Sequence, residues 1–238
     1  MVKCAHIVPF CFDSKGLSYL FGTDDAALSS SRNGLFLNRV IKGGWDNGWI
    51  AIVPDGSVEA TPTEWKLVLL NESIRSNMVY RSAGKKGASI VRWNDIDGQR
   101  LRFRNDNRPA RRYLYFRYVM AYFHARKGQY PDYEEKLPPG RMWASPGKEG
   151  GYLRKSVLRA MAERIGDVTL PQELITAGTF VDTEPESGRE IDGKIATIEL
   201  SARIKSKEQG TVLDEEEDHK DDEEDDDEDE EEDEETAE

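Results

Sequence analysis

The chain is predicted to adopt an α+β fold: a small strand–strand–helix core at the front, a strand and helix extension behind it, and a disordered acidic C-terminal tail. Three observations lead to this. Short apolar runs at residues 2–10, 35–37 and 49–53 have strand length and are separated by turn-forming residues. A single long helical pattern spans residues 109–126. From Asp214 onward almost every residue is acidic.

Taken in order, residues 2–10 read as a strand that carries His6 and Pro9. Residues 13–31 read as a polar connection, broken by Leu17, Tyr19, Leu20 and Phe21, which fit a helical turn. Residues 35–37 continue as a strand, and residues 38–41 fit one or two turns of helix. Gly43-Gly44 argues against a longer helix, because an interior glycine costs about 1 kcal/mol relative to alanine. Residues 49–53 are a strand stopped by Pro54-Asp55-Gly56, a good turn sequence. Residues 65–70 form a further strand, and residues 82–89 read as a flexible loop. After a turn at residues 95–99, Leu101 and Phe103 alternate with Arg100, Arg102 and Arg104, the pattern of a strand with one apolar and one basic face.

Pro109 suits the first position of a helix in which Leu114, Tyr118, Ala121 and Tyr122 recur at spacings of three and four, and Gly128 supplies its stop. A Pro/Gly-rich link at residues 130–151 leads to a second helix at 152–165, with Leu153, Val157, Met161 and Ile165 as its buried row. Beyond Phe180 the pattern decays. The organisation is therefore a core at residues 1–70, a β-hairpin and helical extension at 71–180, a polar linker at 181–213 and the tail at 214–238. A segment with so few apolar side chains cannot offset the entropy of ordering, so the tail is expected to be disordered.

The chain has 33 basic and 46 acidic residues, but they are segregated. Residues 214–238 hold 21 acidic residues and one basic, Lys220, for a charge of −20; residues 1–213 hold 32 basic and 25 acidic, for +7. A basic body suits a polyanion such as nucleic acid, whose phosphates reward Lys and Arg through counterion release. It also suits a mildly basic soluble domain with no such ligand. Cys4 and Cys11 form neither a disulfide framework nor a zinc-finger spacing, which points to a reducing, intracellular compartment. There is no secretory signal, and no run approaches the roughly 18–20 apolar residues of a membrane span. A soluble protein without a membrane partner is expected, and the acidic tail suits a nuclear one.

Phosphodiester hydrolysis needs an activated water, a Lewis acid at the phosphate and help for the leaving oxygen. A neutral imidazole is suited to accept the water's proton near physiological pH, and a strand fixes its position. His6 at a strand end fits that role of general base. An asparagine amide can hold the imidazole, or the loop carrying it, without adding charge, and Asn33 fits there. The plainer readings are a surface or packed histidine and an Asn-Gly turn.

Three motifs stand in order: Cys4-Ala5-His6-Ile7-Val8-Pro9, then Asn33-Gly34-Leu35-Phe36-Leu37, then Trp45-Asp46-Asn47-Gly48-Trp49-Ile50-Ala51-Ile52-Val53-Pro54. Together they resemble the HNH, or ββα-metal, endonuclease domain of the type found in uncharacterised fungal proteins. The similarity covers residues 1–70 by motif. Weaker features, the Asp97-Gly98 turn and the segment from Arg108 to Tyr115, extend it to about residue 125. The resemblance implies a metal-dependent endonuclease acting on DNA, with His6 and Asn33 at its first two motif positions and a divalent metal such as magnesium as cofactor. The family's final histidine falls at Lys42, and a protonated lysine cannot ligate a metal. Asp46 matches the aspartate after the aromatic residue and offers an oxygen ligand. The family's upstream strand is largely absent ahead of His6, as an incomplete N-terminus or a degenerate domain would both produce.

Arg100, Arg102, Arg104, Arg108, Arg111, Arg112 and Arg117 fall within 18 residues, interleaved with Tyr113, Tyr115 and Phe116. The first six are the candidate nucleic-acid contacts, with helix N-terminal amides as further donors. The plainer reading is a solvated face whose arginines pair with nearby acids or with the tail. His124, near a helix C-terminus, and His219, in the tail, receive no catalytic role. Two alternatives accompany the nuclease reading. One is a catalytically degenerate HNH-fold protein that binds DNA. The other is a scaffold that holds basic proteins such as histones through the tail.

Overall fold

The computed structural model describes residues 1–23, 26–56, 64–84, 87–139, 142–143 and 151–180. The expectations for the linker and the acidic tail lie outside these residues.

The fold mixes helices and two-stranded ribbons around one buried helix, an α+β arrangement. Strand β1 (Val2–His6) pairs antiparallel with β2 (Gly34–Asn38), setting His6 opposite Gly34 and Cys4 opposite Phe36. Between them lies α1 (Ser14–Phe21), a full helix where the sequence suggested a turn. Asp13 caps it by accepting from the Gly16 N–H at 2.7 Å, and Gly22 ends it at φ 63°.

Helix α2 (Arg39–Asp46), capped by Asn38, runs through Gly43 and Gly44 instead of stopping at them. The reason is tertiary: a Cβ at Gly44 would lie 2.6 Å from the Trp93 ring, so the absence of a side chain lets helix and indole pack in contact. Packing here outweighs propensity.

Strand β3 (Ile50–Pro54) is buried throughout and pairs antiparallel with β4 (Trp65–Leu69). The flexible loop expected at residues 82–89 is corrected. Strands β5 (Met78–Gly84) and β6 (Gly87–Arg92) form an antiparallel hairpin there, followed by a single helical turn, α3 (Trp93–Ile96). Ser, Ala and Gly residues flank its turn, and Met78 and Ile90 are exposed while Val79 is buried, so the sequence shows no clear alternation there. Residues 100–104 are also corrected. They run extended beside β4, held by Leu67 N–H to Gln99 O and Leu101 N–H to Trp65 O and by one bridge between Lys66 and Arg100, without forming a strand. The alternation survives: Leu101 and Phe103 pack on the core, while Arg102 and Arg104 face solvent.

Helix α4 (Arg111–Lys127) is the centre of the molecule. Twelve of its residues are buried, so its apolar character extends round most of the cylinder, and it packs against β3 and later helices. Short α5 (Tyr133–Lys136) comes next. The predicted helix at 152–165 divides into β7 (Leu153–Arg154), α6 (Lys155–Met161) and a wide turn at Ala162–Gly166. Its expected row of Leu153, Val157, Met161 and Ile165 is fully buried. Helix α7 (Gln172–Gly178) and β8 (Thr179–Phe180), paired parallel with β7, end the described part. One hydrophobic cluster runs from Ala5 to Leu174, so residues 1–70 and 71–180 share a core.

An ion network fastens the end of β4. Glu72 accepts from Arg75 and Lys136, Arg75 also reaches Asp97 at 3.0 Å, and Lys136 donates to Leu69 O at 3.0 Å. Hydrogen bonds from Arg75 and then Lys136 hold the Glu72 carboxyl at a pKa of about 2, below its ordinary 4.5. A depressed carboxylate contributes stability above its unfolded pKa and loses it as pH falls through the folded value. The unfolding free energy of Glu72→Gln from urea denaturation should therefore trail wild type at pH 6 by on the order of 1 kcal/mol, because solvent screens the site, and the gap should close as pH falls through about 2.

Candidate functional site

His6 closes β1 with its imidazole exposed and its ring edge-on to Phe10, centroids 4.2 Å apart. The backbone immediately after His6 is tightly held. Asn33 is 1% exposed, and its carbonyl oxygen accepts from the Ile7 N–H at 2.9 Å. Its side-chain Oδ1 accepts from the Val8 N–H at 2.8 Å, and its Nδ2 donates to Val8 O and Leu28 O, each at 3.2 Å. The amide orientation is fixed by this chemistry, since one end faces a donor and the other faces two acceptors. Asn33 thus clamps the backbone just after His6 and leaves the imidazole free of it.

Asp46, at the end of α2, has two cationic partners. Lys42, one turn earlier, forms an ion pair with its Oδ2, and Arg117 of α4 donates to its Oδ1 at 3.1 Å. The same Arg117 nitrogen reaches Trp45 O at 3.1 Å, and its guanidinium lies 4.6 Å above the Trp45 ring. Arg117 is only 6% exposed; burial pulls its pKa down, and Asp46 opposes that shift. Arg117 was one of the seven clustered arginines; three residues after Leu114 and one before Tyr118, it falls on the buried side of α4.

The donor set does not fit a divalent metal. Asp46 is engaged by an ammonium and a guanidinium, and Lys42 itself brings positive charge to the expected ligand position. Among the described residues, no three His, Cys, Asp or Glu side chains come together as a metal-holding group, and no hydrogen bond joins His6 to Asp46.

The candidate arginines divide. Arg100 pairs with Asp55 and, at 2.8 Å, with Glu64. Arg108 lies 4.3 Å over the Phe103 ring, between the exposed Arg102 and Arg104. Arg111 lies near the Tyr152 hydroxyl and opposes the upward pKa shift that burial gives it. Arg112 and Arg32 both act electrostatically on the hydroxyl of Tyr113, which is hydrogen-bonded to the Ala27 backbone. Ala110 N–H donates to Arg32 O at 3.1 Å, which docks the start of α4 beside Asn33. Arg102, Arg104, Arg108, Arg111 and Arg112 fall within 11 residues, and the start of α4 docks on Arg32, in the turn that clamps the backbone after His6; we call these six arginines the arginine strip. Sequence reading missed Arg32, which sits in a polar connection with no pattern of its own.

Residues 1–53 match the family model of an HNH endonuclease. No curated protein and no solved structure matches the chain. No helix among the described residues is long and apolar enough to cross a membrane.

Proposed function

We propose that this protein binds DNA through its HNH endonuclease segment and the adjoining arginine strip, without metal-dependent strand cleavage. The observation that carries this reading is the Lys42–Asp46–Arg117 ion-pair group. Its two cations engage Asp46, the carboxylate that the family resemblance assigns as a metal ligand. Phosphates are met instead by Arg102, Arg104, Arg108, Arg111, Arg112 and Arg32, whose contacts position a duplex without reading its sequence.

Fluorescence anisotropy on a labelled duplex tests this. Each phosphate contact contributes about 0.9 to the slope of log affinity against log salt. Arg102→Ser, Arg104→Ser and Arg112→Ser combined should weaken binding and flatten that slope, with the labelled duplex left uncleaved in magnesium. An unchanged slope rejects the strip as the DNA surface.

A second reading, a working endonuclease with His6 as general base, is favoured by the exposed imidazole on its Asn33-clamped mount. It requires cleavage that disappears in His6→Ala.

A further inference from the structure

We propose that the acidic tail, residues 214–238, occupies the arginine strip of its own chain and competes there with DNA. The proposal rests on the DNA-binding reading of the strip and adds its regulation.

Several cations elsewhere in the body are held by its own acids: Lys42 and Arg117 by Asp46, Lys66 and Arg100 by Asp55, Arg75 and Lys136 by Glu72. Among the described residues, no ion pair engages Arg32, Arg102, Arg104 or Arg112, and Asp106 is the single acid from residue 100 to 117. Arg32, Arg102 and Arg104 are exposed and Arg112 is half-buried, and positive charge at that density calls for an external or distant anion.

The tail matches it in charge and spacing. It has 21 carboxylates in 25 residues, and an extended chain advances about 3.3–3.6 Å per residue. Its charges therefore fall about 4 Å apart when extended, close to the 3.4 Å phosphate spacing of one DNA strand.

The connection also favours this contact. The described part ends at Phe180, which pairs with Arg154 in the β7–β8 ribbon. Tyr152, two residues before Arg154, lies near Arg111 of the strip, which lowers the pKa of its hydroxyl. The described part thus ends near the start of α4. The 33 residues 181–213 can reach at most ~110–120 Å, against a radius of gyration of ~16 Å for a body of this size. A tether of that reach presents the tail at an effective concentration up to the order of millimolar.

The test uses full-length protein throughout. In one variant the 21 tail carboxylates become Asn and Gln. This variant and wild type are each compared with and without Arg102→Ser, Arg104→Ser and Arg112→Ser. Tail neutralisation should tighten binding to a short duplex at least roughly tenfold at low salt. That gain should largely vanish in the arginine-substituted background. An equal gain in both backgrounds means general repulsion by the tail and overturns the proposal. Hydrodynamic radius provides a readout without DNA. Substituting the arginines in the wild-type tail background should release the tail and expand the molecule; an unchanged radius overturns tail docking, including in favour of a tail held free for basic proteins. If no variant binds DNA but the radius responds, the DNA reading fails and tail docking stands.

Discussion

Asp46→Ala is expected to destabilise the protein by about 3–5 kcal/mol, because it leaves the Arg117 guanidinium buried without its counter-charge. Lys42, the other partner, is 29% exposed and can rehydrate; Arg117, at 7%, cannot. Its remaining contacts, the Trp45 carbonyl and indole face, neutralise no charge. Urea denaturation should show the loss as a lowered midpoint. Adding Arg117→Met should recover much of it, because an unbranched apolar side chain fills similar space without a charge to desolvate. If the double variant is no more stable than Asp46→Ala, the cost lies in packing and the ion pair is incidental.

Asn33→Ala should cost about 3 kcal/mol. The substitution removes the partners of the Val8 N–H, Val8 C=O and Leu28 C=O, and each buried polar group left unpaired costs about 1–3 kcal/mol, partly relieved by water. Asn33→Asp is the sharper variant. It keeps the acceptor but turns a carboxylate oxygen towards two carbonyls, so burial and those oxygens raise the folded-state pKa of the new group. A raised carboxyl pKa gives stability that is present below the unfolded value near 4 and lost as pH rises through the folded value. The stability deficit of Asn33→Asp should therefore widen from pH 4 to pH 7, whereas that of Asn33→Ala should stay level. Parallel pH profiles would mean that Asn33's two donor contacts are dispensable.

Local chemistry made the front of the chain readable. The order of His6, Asn33-Gly34 and Trp45-Asp46 survives as β1, β2 and α2 because each lies in a short segment with its own cap or turn. Helix α4 was legible for the same reason, from Pro109 to Gly128. The features that escaped were set by distant partners. Gly43-Gly44 is a poor helix interior until Trp93 packs on it, 49 residues later. Arg117 looked like one more member of a basic cluster, and only its tertiary contact with Asp46 makes it a buried counter-ion. The hairpin at residues 78–92 lacks the apolar alternation that announces strands, since small Ser, Ala and Gly residues flank its turn and its register is held by backbone pairing. In the candidate site, the residue types were visible, but the engagement of Asp46 by two cations was not.

Plasmid nicking tests the consequence of that engagement most directly. Purified full-length protein would be incubated with supercoiled plasmid in magnesium, manganese or EDTA, beside His6→Ala. With Asp46 held by Lys42 and Arg117, DNA should be retained without metal-dependent conversion to nicked circles, and wild type should not differ from His6→Ala. Nicking that requires a divalent metal and disappears in His6→Ala would contradict this and establish a working nuclease despite Lys42.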